Sequence, residues 1–506
     1  MMKTMRNSYG WDKLLLGLLI LVAGTVTAHA QATPGGTIIR NKASATYTDD
    51  VSNPTKYNTL SNEVTTTVSY VAGLQITPDG SAPATTVTPG ATATYTFTVT
   101  NLGNFTDSVE FLASGASIQV TGPGTVSQAF VDINGNGTYE AGTDVDIKGN
   151  GAAVTTSLAQ SGSVAVVVKV TVSAAASAGQ TVKVDLGDTG GSSPYDNQTA
   201  DNSAHEVHTK HPGGITAVNG EREAKGDITQ TVSAVATVTN GPSGQPDAIG
   251  PGPSTNTDYT NKAVSASATN TPITFDNTLK NGGNGADTFN LSVATGGAPT
   301  GSTVEISVNS GSTWTTVISN GSPTATPQVT TSSVASGANF NYKVRVTLPS
   351  GATTLTGYDT VVKATSVVDA TQTNNTIDRV YTGYLRLVKT ATVTNATGIG
   401  GATDPVPGAD IEYVIAYDNI ANAPTGTGNV DLDALQVVIT EDGDVAPNNW
   451  ASTTDRVAST ESDSRSGSIA ISSSTGGVAN SKYVDTVGTL AGGQSGTFRF
   501  KRRIKQ

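Results

Sequence analysis

The sequence predicts an all-β protein built from tandem antiparallel β-sandwiches. Three observations lead to this fold class: a composition dominated by Gly, Ser, Thr, Ala and Val, apolar residues that alternate with polar ones, and a strand order that recurs along the chain. Thr and Val favour pleated, half-buried strands, and Gly favours the turns between them. Hydrophobic residues make up 36% of the chain and occur in alternating runs, which argues against disorder.

Alternation with a period of two is clearest in residues 91–100, where Tyr95, Phe97 and Val99 share one face and threonines share the other. Such alternation predicts strands with one buried and one wet face, as antiparallel sandwiches require. Three further stretches have the same period. Their predicted inward sets are Val164, Val166, Val168, Val170 and Val172; Phe340, Tyr342, Val344, Val346 and Leu348; and Ile411, Tyr413, Ile415 and Tyr417.

The first thirty residues have the pattern of an export signal. Lys3, Arg6 and Lys13 give a positive start, an apolar run follows at 14–22, and a small-x-small cleavage site stands at 28–30. This order predicts a cleaved secretory signal peptide over residues 1–30. A membrane anchor is the weaker interpretation, because the apolar run is shorter than the roughly 20 residues that a spanning helix needs. We therefore expect a secreted protein at the cell surface or outer envelope, without a transmembrane segment in the mature chain.

Composition and charge narrow the classes of partner. The chain has no cysteine, so disulfide bonds are excluded and stability must come from packed cores, with or without metal ions. The formal net charge is −12, and no basic patch stands out. An acidic chain of this kind is not expected to bind nucleic acid.

The same strand order recurs three times, which indicates a repeat protein. An opening strand ends in an Asn-rich corner at 95–104, 273–284 and 411–422, and a later strand follows at 158–172, 334–348 and 490–504. A closing hairpin that begins at Gly follows in the first two units, from Gly179 through 201–209 and from Gly357 through 374–382. The predicted organisation is a signal peptide (1–30), an N-terminal β-hairpin (31–72) and three immunoglobulin-like β-sandwiches (73–212, 213–386 and 387–506), the third lacking its closing hairpin.

Two of the Asn-rich corners carry a resemblance. VTPGATATYTFTVTNLGNFTDSVEF (87–111) and VPGADIEYVIAYDNIAN (406–422) resemble the bacterial conserved-repeat-domain surface proteins. The middle unit departs from the pattern, since ITFDNTLKNGGN (273–284) lacks the Pro-Gly entry turn. The resemblance implies immunoglobulin-like modules along an exported envelope protein, and a cell-surface or surface-layer location. It supplies no catalytic residues.

The N-terminal hairpin has no unit before it, while the third unit reaches Gln506 without a closing hairpin. GTIIRNKASATYTDD (36–50) and NTLSNEVTTTV (58–68) match the closing hairpins of the other units. The register predicts that Val64, Thr66, Val68 and Tyr70 face inward. We hypothesise that the 36–70 hairpin of one molecule completes the 387–506 unit of the next by β-strand addition, a head-to-tail contact that gives rings or fibres. Three alternatives stay open: local packing on the first unit, closure of the third unit of the same chain, or a family trait without a role in assembly.

The last predicted strand is rich in positive charge. Phe498, Phe500 and Ile504 share one face with Arg502, and four cations share the other: Arg499, Lys501, Arg503 and Lys505. One interpretation is an edge strand protected from pairing by charge. The other is docking onto an acidic partner surface, an anionic glycan or a lipid headgroup.

DINGNGTYEAGTD (132–144) has the pattern of a calcium loop, with oxygen side chains at the first, third and fifth positions and Gly at the sixth. Asn replaces Asp at two positions and Thr143 stands where a bidentate Glu is usual, so the expected dissociation constant is on the order of 0.1–1 mM. The alternative is a Gly/Asn turn without an ion. The predicted ligands are Asp132, Asn134, Asn136, the carbonyl of Thr138, and Glu140 or Asp144.

No catalytic constellation stands out, because there is no thiol nucleophile and no histidine in a nucleophile-elbow context. We expect a protein that is not an enzyme. The leading interpretation is a structural subunit of a bacterial cell-surface layer, fibre or stalk that self-associates as a head-to-tail homopolymer or surface lattice. The alternative is a surface adhesin or binding module that recognises an envelope polymer, a glycan or a protein through its sandwich loops.

Overall fold

The computed structural model describes residues 32–52, 54–80, 85–188, 204–250, 258–264, 268–353, 355–421, 426–427 and 429–506. The predicted signal peptide lies outside these residues. The described chain is almost all β and its strands form packed sheets, which confirms the predicted fold class. It divides into two compact units, one built on the first sandwich (up to Ala174, with Gln180–Thr231) and one that holds the second and third (Ala175–Gly179 with Val232–Gln506). Within the described part of the chain, no helix has the length and apolar character needed to span a membrane.

The first strands of the described residues form a narrow β-ribbon, residues 36–70. Its strands are β1 (Ile38–Asn41), β2 (Ser44–Tyr47), β3 (Tyr57–Leu60) and β4 (Val64–Thr67). β1 pairs with β4 and β2 pairs with β3, both antiparallel, so the ribbon is one hairpin in two segments. The rings of Tyr47 and Tyr57 stack at 5.4 Å near its tip.

The first sandwich follows the ribbon. Its strands are β5 (Leu74–Thr77), β6 (Thr85–Val87), β7 (Thr92–Asn101), β8 (Asp107–Phe111), β9 (Ile118–Thr121), β10 (Gly124–Asp132), β11 (Val145–Asp146), β12 (Val154–Leu158), β13 (Ser163–Val172), β14 (Thr181–Leu186), β15 (Val207–Thr209) and β16 (Gly226–Val232), with a 3-10 turn at Ala113–Gly115. The sheet orders are β11-β10-β13-β7-β5, β12-β8-β15 and β6-β16-β14-β9. Tyr95, Phe97 and Val99 on β7 are fully buried, as their alternation predicts.

The first sandwich extends beyond the boundary predicted at residue 212. The partner of β14 is β16, with Thr181 opposite Thr231 and Leu186 opposite Gly226. The repeat pattern placed this partner near 201–209, but β15 in that stretch pairs with β8. The prediction was wrong here because residues 187–225, which include β15, separate the two arms of the hairpin.

The second sandwich contains two large sheets. Its strands are β17 (Val238–Pro242), β18 (Tyr259–Ala263), β19 (Ile273–Asn281), β20 (Phe289–Val293), β21 (Thr303–Ser307), β22 (Thr315–Ser319), β23 (Ser322–Pro323), β24 (Gln328–Thr330), β25 (Asn339–Thr347), β26 (Gly357–Ser366) and β27 (Thr373–Tyr381). The sheet orders are β17-β19-β25-β21-β22-β23 and β18-β27-β26-β20-β24, and the pair β18–β27 is parallel. Phe275, Leu279 and Phe289 are fully buried in the core between the sheets.

The third sandwich has fewer strands. They are β28 (Leu385–Thr394), β29 (Asp410–Asn419), β30 (Ala434–Asp442), β31 (Thr454–Arg456), β32 (Ser462–Asp463), β33 (Ser468–Ser472), β34 (Lys482–Leu490) and β35 (Ser495–Ile504), with the short helix α1 (Trp450–Thr453). One sheet has the order β28-β29-β35-β31, with β32 also on β35, and the other has β30-β34-β33. Tyr417, Tyr483, Phe498 and Phe500 are fully buried in its core.

An asparagine closes the same corner in all three sandwiches. Asn101, Asn281 and Asn419 end β7, β19 and β29, and each is at most 1% exposed. Each side-chain oxygen accepts a hydrogen bond from the backbone N–H two residues later, and each amide group donates to carbonyls of the adjoining turn and of the later strand segment. The asparagine at each corner therefore holds the end of its strand to the following turn and to the later strand segment.

Candidate assembly site

The strands of the ribbon are exposed on both faces. Every residue of its four strands is exposed, including Ile38 and Ile39 at 51% and Val64 at 62%. Val64 and Thr66, which the register predicts to face inward, are exposed in the single described chain, where no sheet covers either face of the ribbon strands. Val68 and Tyr70 are half-buried at the base of the ribbon.

The base of the ribbon is anchored to the first sandwich by one asparagine. Asn104 donates through Nδ2 to the carbonyls of Thr33 and Ser69, which lie at the two ends of the ribbon. Its Oδ1 accepts the N–H of Val71, and the Tyr70 ring meets the Phe105 ring edge-on at 5.4 Å. The ribbon is thus held at its base, while its four strands are exposed along their whole length.

The pairing register shows that the ribbon repeats the hairpin β14–β16. Ile38, Ile39, Arg40 and Asn41 stand opposite Thr67, Thr66, Thr65 and Val64, and Thr181, Val182, Lys183 and Val184 stand opposite Thr231, Gln230, Thr229 and Ile228. The ion pair Arg40–Glu63 has its counterpart in Lys183–Asp227, at the same two positions. The sequence indicates that the ribbon resembles a closing hairpin, and the pairing register extends this likeness to individual residues of β14–β16.

The base of β14–β16 is held in the same way as the base of the ribbon. Asn284 donates to the carbonyls of Ala176 and Ser233 and accepts the N–H of Val235. Each hairpin starts at a glycine with positive φ, 81° at Gly36 and 79° at Gly179, a conformation that side chains disfavour. The ribbon therefore has the anchor and the register of a closing hairpin.

The ribbon and the hairpin β14–β16 differ in the burial of their apolar side chains. On β14, Val182 and Val184 are fully buried and Ile228 on β16 is 7% exposed, because these side chains point into the first sandwich. Their counterparts are Ile39, Asn41 and Val64, all of them exposed. The ribbon is consequently a closing hairpin whose apolar face has no sandwich beneath it.

The third sandwich has a free sheet edge at the position where the second sandwich binds its closing strand β26. In the second sandwich, β20 pairs with β24 on one side and with the closing strand β26 on the other. Its counterpart β30 pairs with β34 and is the edge of its sheet among the described residues. Leu435 on β30 is 69% exposed and Val438 is 50% exposed.

The facing sheet of the third sandwich is uncovered at the same side. In the second sandwich, β26 and β27 pack over β17, and no residue of β17 is exposed. β28 occupies the place of β17 but is exposed along most of its length, and Leu387 is 53% exposed although its strand partner Tyr417 is buried in the core. Across this opening, Lys389 on β28 and Glu441 on β30 form an ion pair at 2.6 Å.

The cationic strand β35 is not an edge strand. It lies between β29 on one side and β31 and β32 on the other, so that interpretation is wrong. Arg503 pairs with Asp410 at 2.7 Å, and Lys501 and Lys505 lie 3.9 Å from Glu412 and Asp455. The outward cations therefore stabilise contacts with neighbouring strands.

Arg502 points inward from β35 and is 1% exposed. Its guanidinium donates to the carbonyls of Thr454 and Asn480, and its carbon Cζ lies 4.7 Å from the centre of the Trp450 ring. The sequence placed Arg502 on the apolar face of the strand, and these partners explain how a cation is accommodated there.

The predicted calcium loop is held by its own backbone. Asp132 accepts hydrogen bonds from Gly135, Asn136 and Gly137, and Asp144 accepts from Ile133 and Glu140. Of the other predicted ligands, Asn134 donates to Glu140, Asn136 accepts from Thr138, and all four are exposed. Within the described ranges no group of three or more His, Cys, Asp or Glu side chains is placed to hold a metal ion.

Calcium binding by this loop is a prediction with a direct test. At about 10 mM free calcium, a dissociation constant of about 0.1–1 mM stabilises the first sandwich by about 1.4–2.7 kcal/mol. Calorimetry in calcium and in chelator measures the shift, with magnesium as the control ion. Asp144→Asn is expected to abolish it. An unchanged melting temperature in calcium would leave the loop as a turn closed by its own hydrogen bonds.

A buried carboxyl group in the third sandwich predicts pH-dependent stability. Asp485 is fully buried beside Asp463, and neither of its oxygens accepts a hydrogen bond. Burial, with the neighbouring charge of Asp463, raises the pKa of Asp485 to about 6. The folded state then binds more protons than the unfolded chain between about pH 4 and 6, so stability falls as pH rises through that window.

Asp485→Asn is expected to stabilise the third sandwich at pH 7 by about 2 kcal/mol, because the buried group no longer ionises. It should also flatten the dependence between about pH 4 and 6. Thermal unfolding across this range measures both effects. A variant as pH-dependent as the parent would assign the titration to other groups.

Comparisons with known proteins give no family. No family model matches the chain, and no curated protein matches it. Among solved structures, the CupB6 tip adhesin from Pseudomonas aeruginosa shares 10% identity over 61% of this chain and 99% of its own, with a TM-score of 0.20. BcpA, the major pilin subunit of Bacillus cereus, shares 10% identity over 62% of this chain and 69% of its own, with a TM-score of 0.17.

The four cadherin domains of protocadherin gamma B7 share 10% identity with the chain, over 90% of this chain and 81% of their own, with a TM-score of 0.26. TM-scores this low carry no argument about function. The function is therefore inferred from the residues of the chain itself.

Proposed function

We propose that the protein is an exported, non-catalytic structural subunit that assembles head-to-tail at a bacterial cell surface. The ribbon, residues 36–70, of one copy closes the third sandwich of the next. The observation that carries the proposal is the shared register of the ribbon and of β14–β16, combined with the absence of any sandwich against the described ribbon. Export rests on the signal pattern of residues 1–30, and the bacterial surface on the family resemblance.

The ribbon has an uncovered apolar face, and the third sandwich has an unpaired sheet edge and an uncovered core. The free edge of β30 offers unpaired backbone groups, which a guest strand satisfies by β-addition. Ile39 and Val64 would cover Leu387 and the open core of the third sandwich, as Val182 and Ile228 cover the core of the first sandwich. The ion pair Lys389–Glu441 has to shift aside; its side chains are 32% and 13% exposed, so breaking it is a cost that the docked ribbon must offset.

Association between copies is favoured over local packing by the exposure of the ribbon. Residues held only at the base, with apolar side chains in water on both faces, lose unfavourable hydration when a second copy covers them. The contact is heterologous, since ribbon and opening are different surfaces, and it therefore propagates into a fibre or closes into a ring. A fibre, surface layer or stalk built in this way needs no enzyme activity.

The test compares the mature chain with a variant in which a short Gly/Ser linker replaces residues 38–67. This variant keeps Gly36, Val68 and the Asn104 anchor, so the first sandwich retains its contacts. Light scattering after gel filtration, over a range of concentrations, is expected to show multimers of the mature chain and monomers of the variant. Negative-stain images then separate fibres from rings.

Two outcomes would contradict the proposal. If both proteins are monomers and their third sandwiches are equally stable, the ribbon does not close that sandwich at all. If both are monomers but the mature chain is more stable, the ribbon closes the third sandwich of its own chain. Added ribbon-deleted protein should shorten the multimers, since it can accept a ribbon but cannot donate one.

A further inference from the structure

A layer of polar side chains is buried between the two sheets of the second sandwich. One sheet contributes Asn240, Asn277 and Tyr342, which are at most 2% exposed. The other sheet contributes Asp378 on β27 and Asp258 beside β18, and both are fully buried. Asn277 donates to Asp378 Oδ2 at 2.9 Å, and the Tyr342 hydroxyl donates to Asn240 at 2.7 Å.

Several oxygens of this layer have no hydrogen-bond partner. They are Asp258 Oδ2, Asp378 Oδ1, Asn277 Oδ1 and Thr360 Oγ1. Thr360 stands directly opposite Asp378 on the neighbouring strand β26 and is fully buried, so the two side chains share the inner face of the sheet. Buried polar atoms are rarely left without partners in a folded protein.

The space beside Asp258 depends on a glycine. A Cβ atom at Gly241 would lie 2.2 Å from the Gln245 carbonyl oxygen and 2.7 Å from Asp258 Oδ2, so a side chain does not fit at this position. The other oxygen of Asp258 accepts the hydroxyl of Thr376, which fixes the carboxylate. The free oxygen, Oδ2, is thereby held beside Gly241.

Among the described residues, neither carboxylate has a cationic partner within hydrogen-bond distance. The ammonium of Lys262 on β18 donates to the carbonyl of Thr274 at 2.7 Å. An ionised pair inside the sandwich therefore needs a counter-charge.

We infer that this layer is a calcium site within the second sandwich, with oxygen ligands from Asp258, Asp378, Asn277 and Thr360. One divalent cation balances the charge of the two carboxylates. Carboxylate, amide and hydroxyl oxygens are the donors that calcium prefers, and the layer has no nitrogen or sulfur ligand of the kind that zinc selects. Because the ligands are fully enclosed, calcium enters as the sandwich folds and stabilises it from inside.

The test refolds the mature chain after unfolding in chelator, with calcium or with magnesium, and then measures bound metal after exhaustive dialysis. The expected result is a calcium ion that dialysis does not remove and that Asp258→Asn with Asp378→Asn eliminates. Asp276→Asn is the matched control: Asp276 lies on β19 next to Asn277, but its side chain is half-exposed and pairs with Lys343. That variant should retain the ion.

A gain-of-function variant covers the case in which the double variant fails to fold. Asn277→Asp adds a third carboxylate, which is expected to slow calcium release at least about tenfold if calcium is present. Without an ion, the added buried charge should instead unfold the second sandwich. The inference is overturned if the refolded chain retains no calcium, or if the double variant retains as much as the parent.

Discussion

Ile39→Asp is expected to keep the protein monomeric at concentrations where the unchanged chain assembles. By register, Ile39 takes the place of Val182, which is fully buried in the first sandwich. Docking would carry the new carboxylate into the apolar interior of the third sandwich, which costs several kcal/mol. A loss of about 3 kcal/mol weakens association roughly 150-fold. Light scattering over a concentration series measures it.

Ile38→Asp is the matched control. Ile38 and Ile39 are both 51% exposed, they are neighbours, and the same substitution adds the same charge. Ile38 corresponds to Thr181, which faces solvent in the first sandwich. Assembly of the Ile38→Asp variant should remain near that of the unchanged chain. Equal loss in both variants would mean that the ribbon associates through general apolar contact, without the register proposed for it.

Much of the strand framework was predictable because many sandwich strands bury one face. Tyr95, Phe97 and Val99 alternate with threonines, and all three are fully buried. The likeness of residues 36–68 to a closing hairpin was also visible, since Gly and Asn recur at its turns. The exposure of this hairpin was not visible in the sequence. An alternating pattern shows that a strand has an apolar face, but it does not show whether a second sheet covers that face.

The buried carboxylates were missed for a different reason. Asp378 lies between Thr376 and Val380 on the inward face of β27, so the alternation itself placed it inside. Alternation alone does not single out a buried aspartate, because an unpaired charge is seldom buried. The sequence therefore predicts calcium binding at the Gly-rich loop 132–144, where the candidate ligands lie close together along the chain. The second-sandwich layer joins residues that are far apart along the chain, and only folding brings them together.

Asn281→Asp is expected to destabilise the second sandwich by about 3 kcal/mol or more, although the two side chains have the same shape. The Nδ2 group of Asn281 donates to the carbonyls of Gly285 and Val334 at 2.9 and 2.8 Å. A carboxylate cannot donate, so both carbonyls lose their partner and face a negative charge in a buried corner, at about 1–3 kcal/mol for each unsatisfied group. Calorimetry of the full chain measures the shift of the second-sandwich transition.

Asn339→Asp serves as the control, since Asn339 begins the adjacent strand β25 and is exposed. It carries the same change in charge and should shift the transition by no more than about 0.5 kcal/mol. Asn101 and Asn419 make the equivalent bonds in the other sandwiches, so Asn101→Asp and Asn419→Asp should each lower the stability of their own sandwich. If Asn281→Asp were as mild as Asn339→Asp, the amide would not be the group that locks the corner. The repeated asparagine would then owe its recurrence to the turn that follows it, through the oxygen that accepts the N–H of Gly283 at 2.9 Å.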